Sequence, residues 1–429
     1  MHIKDVNGKN VCILGFGREG QATLAALERF APQAEVTIAD ANENIQTAPG
    51  KYWLQIGSGW LKNLDKFDVI IKSPGIPPKP EFGPVKDKMT SATQIFLESV
   101  APTGATVIGV TGSKGKSTTS SLIYEILKAG GKNVFLVGNI GVPAITYIAE
   151  ATPETYFVYE MSSYQLMDMS ISPHIAVVTS FFPEHLDYHG SLAAYMDAKK
   201  HIARFQTEHD KIFFNAEWAG AAEIARESKG QRIQYLQSEC PIGLNEIQLL
   251  GQHNLANITA ALKVGSLLQI PEDIMFKAVK NFRGLPHRLQ SLGMQAGIEW
   301  VNDSISTTPQ SAMAALDALD GKVGTMILGG QDRGYDFREL AEKIVQSPHI
   351  KHIILMPGSG ATIRAAIEHT HHTALPTLWN AADMKEAVAL ARKNTPNTFI
   401  CLLSPASPSY GYFKNFEDRG EQFRSEIQE

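Results

Sequence analysis

Short β-branched runs alternate with helical patterns along the whole chain, and this alternation restricts the fold more than any other feature. The runs lie at residues 11–14, 36–39, 68–71, 107–110, 134–137, 156–159, 175–178, 212–214, 325–328, 353–355 and 399–402. Strand–helix–strand units of this kind form parallel sheets that are covered by helices. A single sheet seldom holds about a dozen strands. The sequence therefore predicts an α/β fold with several sheets.

Size and composition narrow the class of protein. A chain of 429 residues exceeds what one hydrophobic core usually supports, so two or three domains are expected. Hydrophobic residues make up 44% of the chain, which indicates an ordinary globular protein. The formal charge of -5 is small for this length and gives no sign of a nucleic acid or membrane-surface partner. The longest apolar stretches are too short to cross a bilayer.

The three cysteines and the chain start predict a cytoplasmic location. Cys12 and Cys401 lie in apolar strand-like runs, where thiols are usually buried and inert. No spacing suggests a disulfide framework or a zinc site, and residues 1–9 are too polar for a signal peptide. A reducing compartment is therefore expected.

Two turn-rich segments predict the domain boundaries. The first boundary follows the segment 73–80 and a helical stretch at 91–100, and the second lies near the segment 281–286. We therefore expect three domains, at residues 1–95, 96–284 and 285–429.

A glycine-rich loop at residues 109–118, GVTGSKGKST, is the strongest single motif. It leads from a predicted strand into a helix, so Gly112 and Gly115 let backbone N–H groups surround an anion at the helix N-terminus. Lys116 would reach the terminal phosphates, and Ser117 would coordinate Mg²⁺. A valine replaces the first glycine of the general P-loop spacing, so the loop is a shortened variant. Its predicted ATP-binding residues are Gly112, Ser113, Lys114, Gly115, Lys116, Ser117 and Thr118.

A second glycine pattern, Gly15 to Gly20, follows the first predicted strand, and Asp40 ends the second strand. This arrangement is typical of dinucleotide binding, in which the acidic residue contacts a ribose hydroxyl. The same geometry would hold the diphosphate of a UDP-sugar. A nicotinamide or flavin cofactor therefore stays open on this motif alone.

Further motifs follow the loop in a specific order. They are GNIG (138–141), EMSSYQL (160–166), HLD (185–187), AK (198–199), GQHNLAN (251–257), GLPHR (284–288) and NDS (302–304). Together with the shortened P-loop, they make the chain resemble the Mur ligase family over nearly its whole length. SPGI (73–76), LSPA (403–406) and FKNFEDRG (413–420) resemble the branch that adds D-glutamate.

The resemblance implies an N-terminal Rossmann-like domain for UDP, a central P-loop ATPase domain with a parallel sheet, and a C-terminal Rossmann-like domain for the amino acid. It implies that a substrate carboxylate attacks the γ-phosphate of ATP, and that the amino acid captures the resulting acyl phosphate. The expected reaction joins D-glutamate to UDP-N-acetylmuramoyl-L-alanine in peptidoglycan precursor synthesis, with L-glutamate as the alternative. ATP and two Mg²⁺ ions are the expected cofactors.

Residue roles come from the same resemblance. The implied catalytic residues are Lys116, Glu160, His185 and Lys199. One Mg²⁺ is expected near Ser117 and Glu160, and the other near His185 and a carbamylated Lys199. Further ATP contacts are expected at Asn139, Asn254, Asn257, Arg288 and Asp303. Contacts to the UDP substrate are expected at Gly15, Phe16, Gly17, Arg18, Glu19, Asp40, Ser73, Pro74, Gly75, Asn139 and His185.

The implied amino-acid pocket departs from the family pattern at several points. Its expected residues are Thr307, Arg333, Ser409, Tyr410 and Phe413, with Lys414 as an additional cation. Ile305 stands where the branch usually has a lysine, Arg333 replaces another lysine, and the segment 407–411 is altered. Thr307, Arg333, Ser409 and Lys414 could still bind two carboxylates through charge-assisted hydrogen bonds, which favours glutamate. These departures leave its handedness open.

Two other functions share part of the pattern. Folylpolyglutamate synthase has the same central motifs, but it lacks an N-terminal domain like residues 1–95. A P-loop switch ATPase would use nucleotide binding to change partners and would need no amino acid. The ligase reading predicts only small-molecule partners and a monomer.

Overall fold

The computed structural model describes residues 1–47, 50–319, 321–370, 372 and 374–429. Two compact units are present, one of residues 1–241 with 255–279 and the other of residues 242–254 with 280–429. The first unit contains two sheets and the second contains one. The domain bounds at 95/96 and 284/285 stay predictions.

The first sheet is parallel throughout, with strand order β3-β2-β1-β4-β5. Its strands are β1 (Asn10–Leu14), β2 (Glu35–Asp40), β3 (Trp53–Ile56), β4 (Val69–Lys72) and β5 (Met89–Thr90), and its helices are α1 (Arg18–Phe30) and α2 (Ala92–Val100). Val11 and Ile13 pack into one buried cluster, whereas Cys12 and Leu14 pack into another. Both faces of β1 are thus buried, as is usual in parallel sheets.

The second sheet is also parallel, with strand order β11-β10-β9-β6-β8-β7. Its strands are β6 (Thr106–Thr111), β7 (Asn133–Gly138), β8 (Thr155–Glu160), β9 (Ile175–Val178), β10 (Lys211–Asn215) and β11 (Gln231–Tyr235). The helices that follow these strands are α3 (Lys116–Ala129), α4 (Ser163–Leu166), α5 (Leu186–His189), α6 (Leu192–Arg204), α7 (Ala219–Ala225), α8 (Asn254–Leu267) and α9 (Glu272–Asn281). The carboxyl ends of β6, β7, β8 and β9 therefore meet at one edge.

The third sheet has strand order β12-β13-β17-β14-β15-β16 and is parallel except for β12. Its strands are β12 (Gln290–Gln295), β13 (Ile298–Asn302), β14 (Val323–Gly330), β15 (His352–Gly358), β16 (Thr377–Asn380) and β17 (Ile400–Leu403). Its helices are α10 (Pro309–Ala318), α11 (Arg338–Val345), α12 (Gly360–Glu368), α13 (Met384–Asn394) and α14 (Phe416–Gln428). An antiparallel edge strand on a parallel sheet is common in such folds.

The two strand cysteines are buried and free, as the sequence predicts. Burial raises the pKa of the Cys12 thiol to about 12 and also raises the pKa of Cys401. Both thiols are therefore protonated at neutral pH and unreactive. Within the described ranges, no helix combines the length and apolar character that a membrane crossing requires.

Candidate active site

The phosphate loop connects the end of β6 to the start of α3. Gly112 and Gly115 have φ angles of 152° and 86°, which favour glycine. A Cβ atom on Gly112 would collide with Thr179 Oγ1, and one on Gly115 would lie 2.5 Å from Asn257 Oδ1. The loop therefore tolerates no side chain at either position, and its backbone amides can approach an anion closely.

The amino groups of two lysines converge on one carbonyl of this loop. Lys116 Nζ donates to Gly112 O at 2.8 Å and to Ser113 O at 2.9 Å. Lys199 Nζ, from α6, donates to the same Gly112 oxygen at 2.9 Å. A phosphate is a stronger acceptor than a neutral carbonyl, because its hydrogen bonds are charge-assisted. Lys116 is thus placed where a nucleotide phosphate would attract it, and Lys199 lies beside the same loop carbonyl.

The register of the parallel strands places Glu160 beside the loop. Glu160 ends β8, where it pairs with Val110 of β6 on one side and Gly138 of β7 on the other. Asn139 Nδ2 donates to Glu160 Oε1 at 2.9 Å. Glu160 is only 1% exposed, and no described donor lies within hydrogen-bonding distance of its Oε2 atom. A buried carboxylate oxygen without a donor fits a hard cation such as Mg²⁺.

Lys199 has the environment of a neutral amine. It is 1% exposed, and its Nζ lies 4.9 Å from the centre of the Tyr195 ring. Burial and the charge of Lys116 lower its pKa well below the usual range, while Glu184 and Glu160 oppose this only in part. No described carboxylate forms an ion pair with it. A neutral amine is the form that can react with carbon dioxide, so the site fits a carbamylated lysine.

His185 precedes α5 in a left-handed conformation, with a φ angle of 55°. Its ring lies 5.1 Å from that of Tyr164, and burial lowers its pKa. The neutral imidazole is therefore favoured, and this is the form that binds metals. In the described part of the chain, no group of three or more His, Cys, Asp or Glu residues could hold a metal ion. Mg²⁺ binding would instead depend on mixed ligands, waters and phosphates.

Three further residues were predicted to bind ATP. Two of them lie on α8, and the third lies in the segment between α9 and β12. Asn257, on α8, accepts a hydrogen bond from Thr119 Oγ1 of α3 at 3.1 Å, so it lies behind the phosphate loop. Asn254 begins α8 and donates to Leu250 O at 2.8 Å. Arg288 is exposed.

Asp303 uses both of its carboxylate oxygens within the second unit. Oδ1 accepts from the Leu289 amide at 3.1 Å, and Oδ2 accepts from Ser404 Oγ at 2.8 Å. Burial raises the pKa of Asp303 to about 6. The carboxylate therefore ties the start of β12 to the loop after β17, and its predicted nucleotide contact stays a prediction.

The predicted UDP site lies at the carboxyl ends of β1, β2 and β4. Asp40 Oδ2 accepts from the Phe16 amide at 2.6 Å, and Oδ1 accepts from the Asn42 amide at 2.8 Å. Ser73 Oγ donates to Gly15 O at 2.9 Å. Asp40 thus shapes the glycine loop, because its carboxylate accepts hydrogen bonds from backbone amides. The ribose contact of the same carboxylate stays a prediction.

The start of α1 contacts the second sheet of the same compact unit. Arg18 donates to Gly138 O at 2.9 Å and to Gly141 O at 3.3 Å. Gln165 Nε2 donates to Glu19 Oε1 at 3.0 Å, and burial raises the pKa of Glu19. Arg18 and Glu19 were both predicted to contact the UDP substrate. In the structure, Arg18 forms hydrogen bonds to the GNIG motif, and Glu19 forms one to the EMSSYQL motif.

The predicted amino-acid residues lie on loops after adjacent strands of the third sheet. Thr307 follows β13, Arg333 follows β14, and Ser409 follows β17. Ser409 is buried, whereas Tyr410 is 54% exposed. Arg333 is exposed and donates to Gln331 Oε1 at 3.1 Å. The structure thus brings the three loops to one edge of the sheet.

Arg419, for which the sequence motifs predicted no role, connects two of these loops. Its guanidinium donates to Ser304 Oγ at 3.0 Å, to Ser304 O at 2.8 Å and to Ser407 O at 3.0 Å. The residue is 1% exposed, and burial lowers its pKa to about 9. Its position within the FKNFEDRG segment was the available signal.

Comparison with known proteins identifies the family. Residues 110–239 match the sequence family "Mur ligase middle domain". Residues 287–406 match the sequence family "Mur ligase, glutamate ligase domain". The UDP-N-acetylmuramoyl-L-alanine–L-glutamate ligase of Salinispora tropica is 34% identical over 458 residues, covering 100% of this chain and 99% of the relative. The chain belongs to the Mur ligase family.

Other Mur ligases extend the likeness. The UDP-N-acetylmuramoylalanine–D-glutamate ligase of Leuconostoc citreum is 32% identical, again covering 100% of this chain and 99% of the relative. The MurF ligase of Thermotoga maritima, solved in complex with ADP, superposes with a TM-score of 0.60 at 16% identity, covering 100% of this chain and 97% of that chain. The last likeness establishes a shared fold.

Proposed function

We propose that this Mur ligase joins glutamate to UDP-N-acetylmuramoyl-L-alanine at the expense of ATP, with D-glutamate as the first candidate. The observation that carries the proposal is the convergence of Lys116 and Lys199 on Gly112 O, next to the unpartnered Glu160 oxygen. This arrangement provides a cation, Lys116, for phosphates, a carboxylate for a metal ion, and a buried lysine beside the same loop. Full-length similarity to glutamate ligases of both stereochemical types supports the substrate class.

The reaction must bring a carboxylate to a triphosphate of like charge. We propose that Lys116 leaves its loop carbonyls and binds the terminal phosphates, which reduces this repulsion. A carboxylate oxygen of the substrate then attacks the γ-phosphorus, and the bond to ADP breaks. The glutamate nitrogen next attacks the acyl carbon, phosphate leaves, and the nitrogen loses a proton. Loop amides of residues 112–118 would hold the phosphates in line.

Ser117 and Glu160 would hold one Mg²⁺, and His185 and carbamylated Lys199 would hold a second. When bound, Mg²⁺ would neutralise phosphate charge. The depressed pKa of Lys199 supports the carbamate, because it enlarges the fraction of neutral amine, the form that reacts with carbon dioxide. Incubation with ¹³C-bicarbonate should give a carbamate carbon signal that Lys199→Arg lacks and that Lys200→Arg, the neighbouring control, retains.

The loops after β13, β14 and β17 would bind glutamate. Arg333 could form a bidentate pair with one carboxylate, and Lys414 could bind the other. Thr307 and Ser409 could add neutral hydrogen bonds. Ile305 supplies no charge, and the relative in Salinispora tropica is an L-glutamate ligase, so L-glutamate is the second candidate.

We further propose a monomeric cytoplasmic enzyme. The three cysteines are free, which suits a reducing compartment. Residues 1–95, 96–284 and 285–429 would serve UDP, ATP and the amino acid respectively.

The test is phosphate release from ATP in the presence of UDP-N-acetylmuramoyl-L-alanine, with D-glutamate, L-glutamate or no amino acid. Release that depends on D-glutamate supports the main proposal, and release that depends on L-glutamate supports the second candidate. Release without either amino acid would favour a switch ATPase. Lys116→Met should abolish the amino-acid-dependent release while the protein remains folded.

A further inference from the structure

A tight turn at residues 73–76 forms one wall of the proposed UDP site. The Ile76 amide donates to Ser73 O at 3.2 Å and closes the turn. Ser73 Oγ also donates to Gly15 O at 2.9 Å. A Cβ atom on Gly15 would lie 2.9 Å from Ile76 Cδ1, so the turn and the glycine loop touch directly. Any shift of this turn therefore moves the surface that would hold the UDP substrate.

A tyrosine from the middle-domain sequence holds this turn. The Tyr188 hydroxyl lies 2.7 Å from Pro74 O and 2.9 Å from Ile76 O. A phenol has one proton, so it donates to one carbonyl at a time, but both carbonyls face it. Burial and the charge of Asp168 raise the pKa of Tyr188, which keeps it a donor at neutral pH. Tyr188 lies on α5, three residues after His185.

A buried lysine holds the same turn from its other side. Lys72 Nζ donates to Ile76 O at 3.2 Å and forms an ion pair with Asp168 Oδ2 at 2.8 Å. The Lys72 side chain is only 4% exposed, whereas that of Asp168 is 27% exposed. A buried ammonium needs a partner charge, and Asp168, which follows α4, supplies it. Ile76 O is thus contacted by two donors.

We propose that Tyr188 and the Lys72–Asp168 pair form a turn clamp, which fixes the turn 73–76 against α5. The clamp sets the position of the UDP-linked substrate relative to His185, and so relative to the phosphate loop. Tyr188 and Lys72 act as positioning residues, because their partners are backbone carbonyls and Asp168. The inference rests on the proposed function for the identity of the substrate.

Tyr188→Phe tests the clamp by removing one hydroxyl. Loss of a neutral hydrogen bond corresponds to a change of about twofold to tenfold. We expect the KM for UDP-N-acetylmuramoyl-L-alanine, and its Kd by calorimetry, to rise by that factor, with the KM for ATP unchanged. Tyr147→Phe is the matched control, since its ring packs on Phe135 in the same unit. It should leave every constant at the wild-type value.

Lys72→Met and Asp168→Asn test the second half of the clamp. Lys72→Met should raise the same KM at least as much as Tyr188→Phe does. Asp168→Asn should have a smaller effect, because it removes the partner charge but leaves an amide of the same size beside Lys72. Melting temperatures identify any variant that is unfolded, and Tyr188→Phe decides the matter if Lys72→Met does not fold.

The outcomes separate the clamp from the proposed function. The clamp would be overturned if Tyr188→Phe left the KM and Kd for the UDP substrate unchanged, or if the KM for ATP rose by the same factor. Turnover by the wild type would still support the ligase function in that case. Wild-type protein that neither binds nor turns over the UDP substrate would overturn both. If the wild type binds without turnover, the Kd comparison still tests the clamp.

Discussion

Glu160→Gln should raise the stability of the metal-free protein while it abolishes ligase activity. Glutamine keeps the oxygen that accepts from Asn139 Nδ2 at 2.9 Å. It replaces the buried Oε2 atom, which has no described donor, with an uncharged amide group. The substitution therefore removes a buried carboxylate oxygen that has no described hydrogen-bond donor, and it also removes the carboxylate that we propose as a Mg²⁺ ligand.

The size of the effect follows from the cost of burying unpaired groups. A neutral polar group without a hydrogen bond costs about 1–3 kcal/mol when buried, and a charged one costs more. The exchange replaces the larger cost with the smaller one, so we expect a gain on the order of 1 kcal/mol, which raises the melting temperature by about 2–4 °C in a unit of this size. In the wild type, saturating ADP with Mg²⁺ adds about 2.7 kcal/mol at a hundredfold excess over Kd. Most of that ligand stabilisation should be lost in Glu160→Gln.

Scanning fluorimetry of wild type, Glu160→Gln and Glu154→Gln checks this, first in EDTA and then with ADP and Mg²⁺. Glu154 is exposed in the loop before β8, so its exchange controls for the change in net charge. The reasoning is refuted if Glu160→Gln melts below the wild type in EDTA. That result would mean that the carboxylate has a stabilising contact in the metal-free protein.

Two further substitutions test the buried side chains of Lys199 and Arg419. The folded-state pKa of Lys199 lies below its ordinary 10.5. Between these two pKa values the unfolded chain binds more protons than the folded chain does. The wild type therefore loses stability as pH falls from about 10.5 towards the folded-state pKa. The melting temperature of Lys199→Met, relative to wild type in bicarbonate-free buffer, should therefore be higher at pH 7 than at pH 10; a constant difference would contradict this. Arg419→Lys should lower the free energy of unfolding by about 2–3 kcal/mol, because at least two hydrogen bonds are lost. Urea titration monitored by tryptophan fluorescence measures this loss, because buried Trp300 contacts Phe423, which lies on α14 with Arg419. An equal loss in Arg338→Lys, at an exposed position, would contradict the prediction.

Most strands in the interior of each sheet were predictable from sequence, although β13 was missed. Every run used in the prediction, such as residues 107–110 and 353–355, lies in or overlaps a strand of the structure. Most of these strands are buried on both faces, so their residues form continuous apolar runs. The helix predicted at 91–100 is α2, which begins at Ala92 with Ser91 as its N-cap. Local chemistry was sufficient for these elements.

Most edge strands escaped prediction because much of their surface is polar or exposed; β7, which contains the predicted run 134–137, is the exception. β12 reads QSLGMQ and has no buried residue, so neither an apolar run nor a β-branched pattern marks it. It is held by pairing with β13 through a hairpin at Ala296 and Gly297, which both have positive φ angles. Alanine rarely adopts this conformation, so the turn signal was weak.

Motifs identified the candidate site, but side-chain partners required the structure. The phosphate loop and Glu160 were expected at one edge, and strand register accounts for that position. The second hydrogen bond to Gly112 O from Lys199 could not be read from a sequence separation of 87 residues. Tyr188 was missed because its hydroxyl contacts backbone carbonyls, which carry no sequence signal.

Arg419 has a consequence for how amino-acid preference can change among these ligases. Two of its three hydrogen bonds are to backbone carbonyls, at Ser304 and Ser407, so they do not depend on neighbouring side chains. Side chains such as Ile305 and Ser409 can therefore be exchanged while the two loops keep their path. Selection can therefore alter the chemistry of the proposed amino-acid pocket by single substitutions, while the backbone of the two loops stays in place.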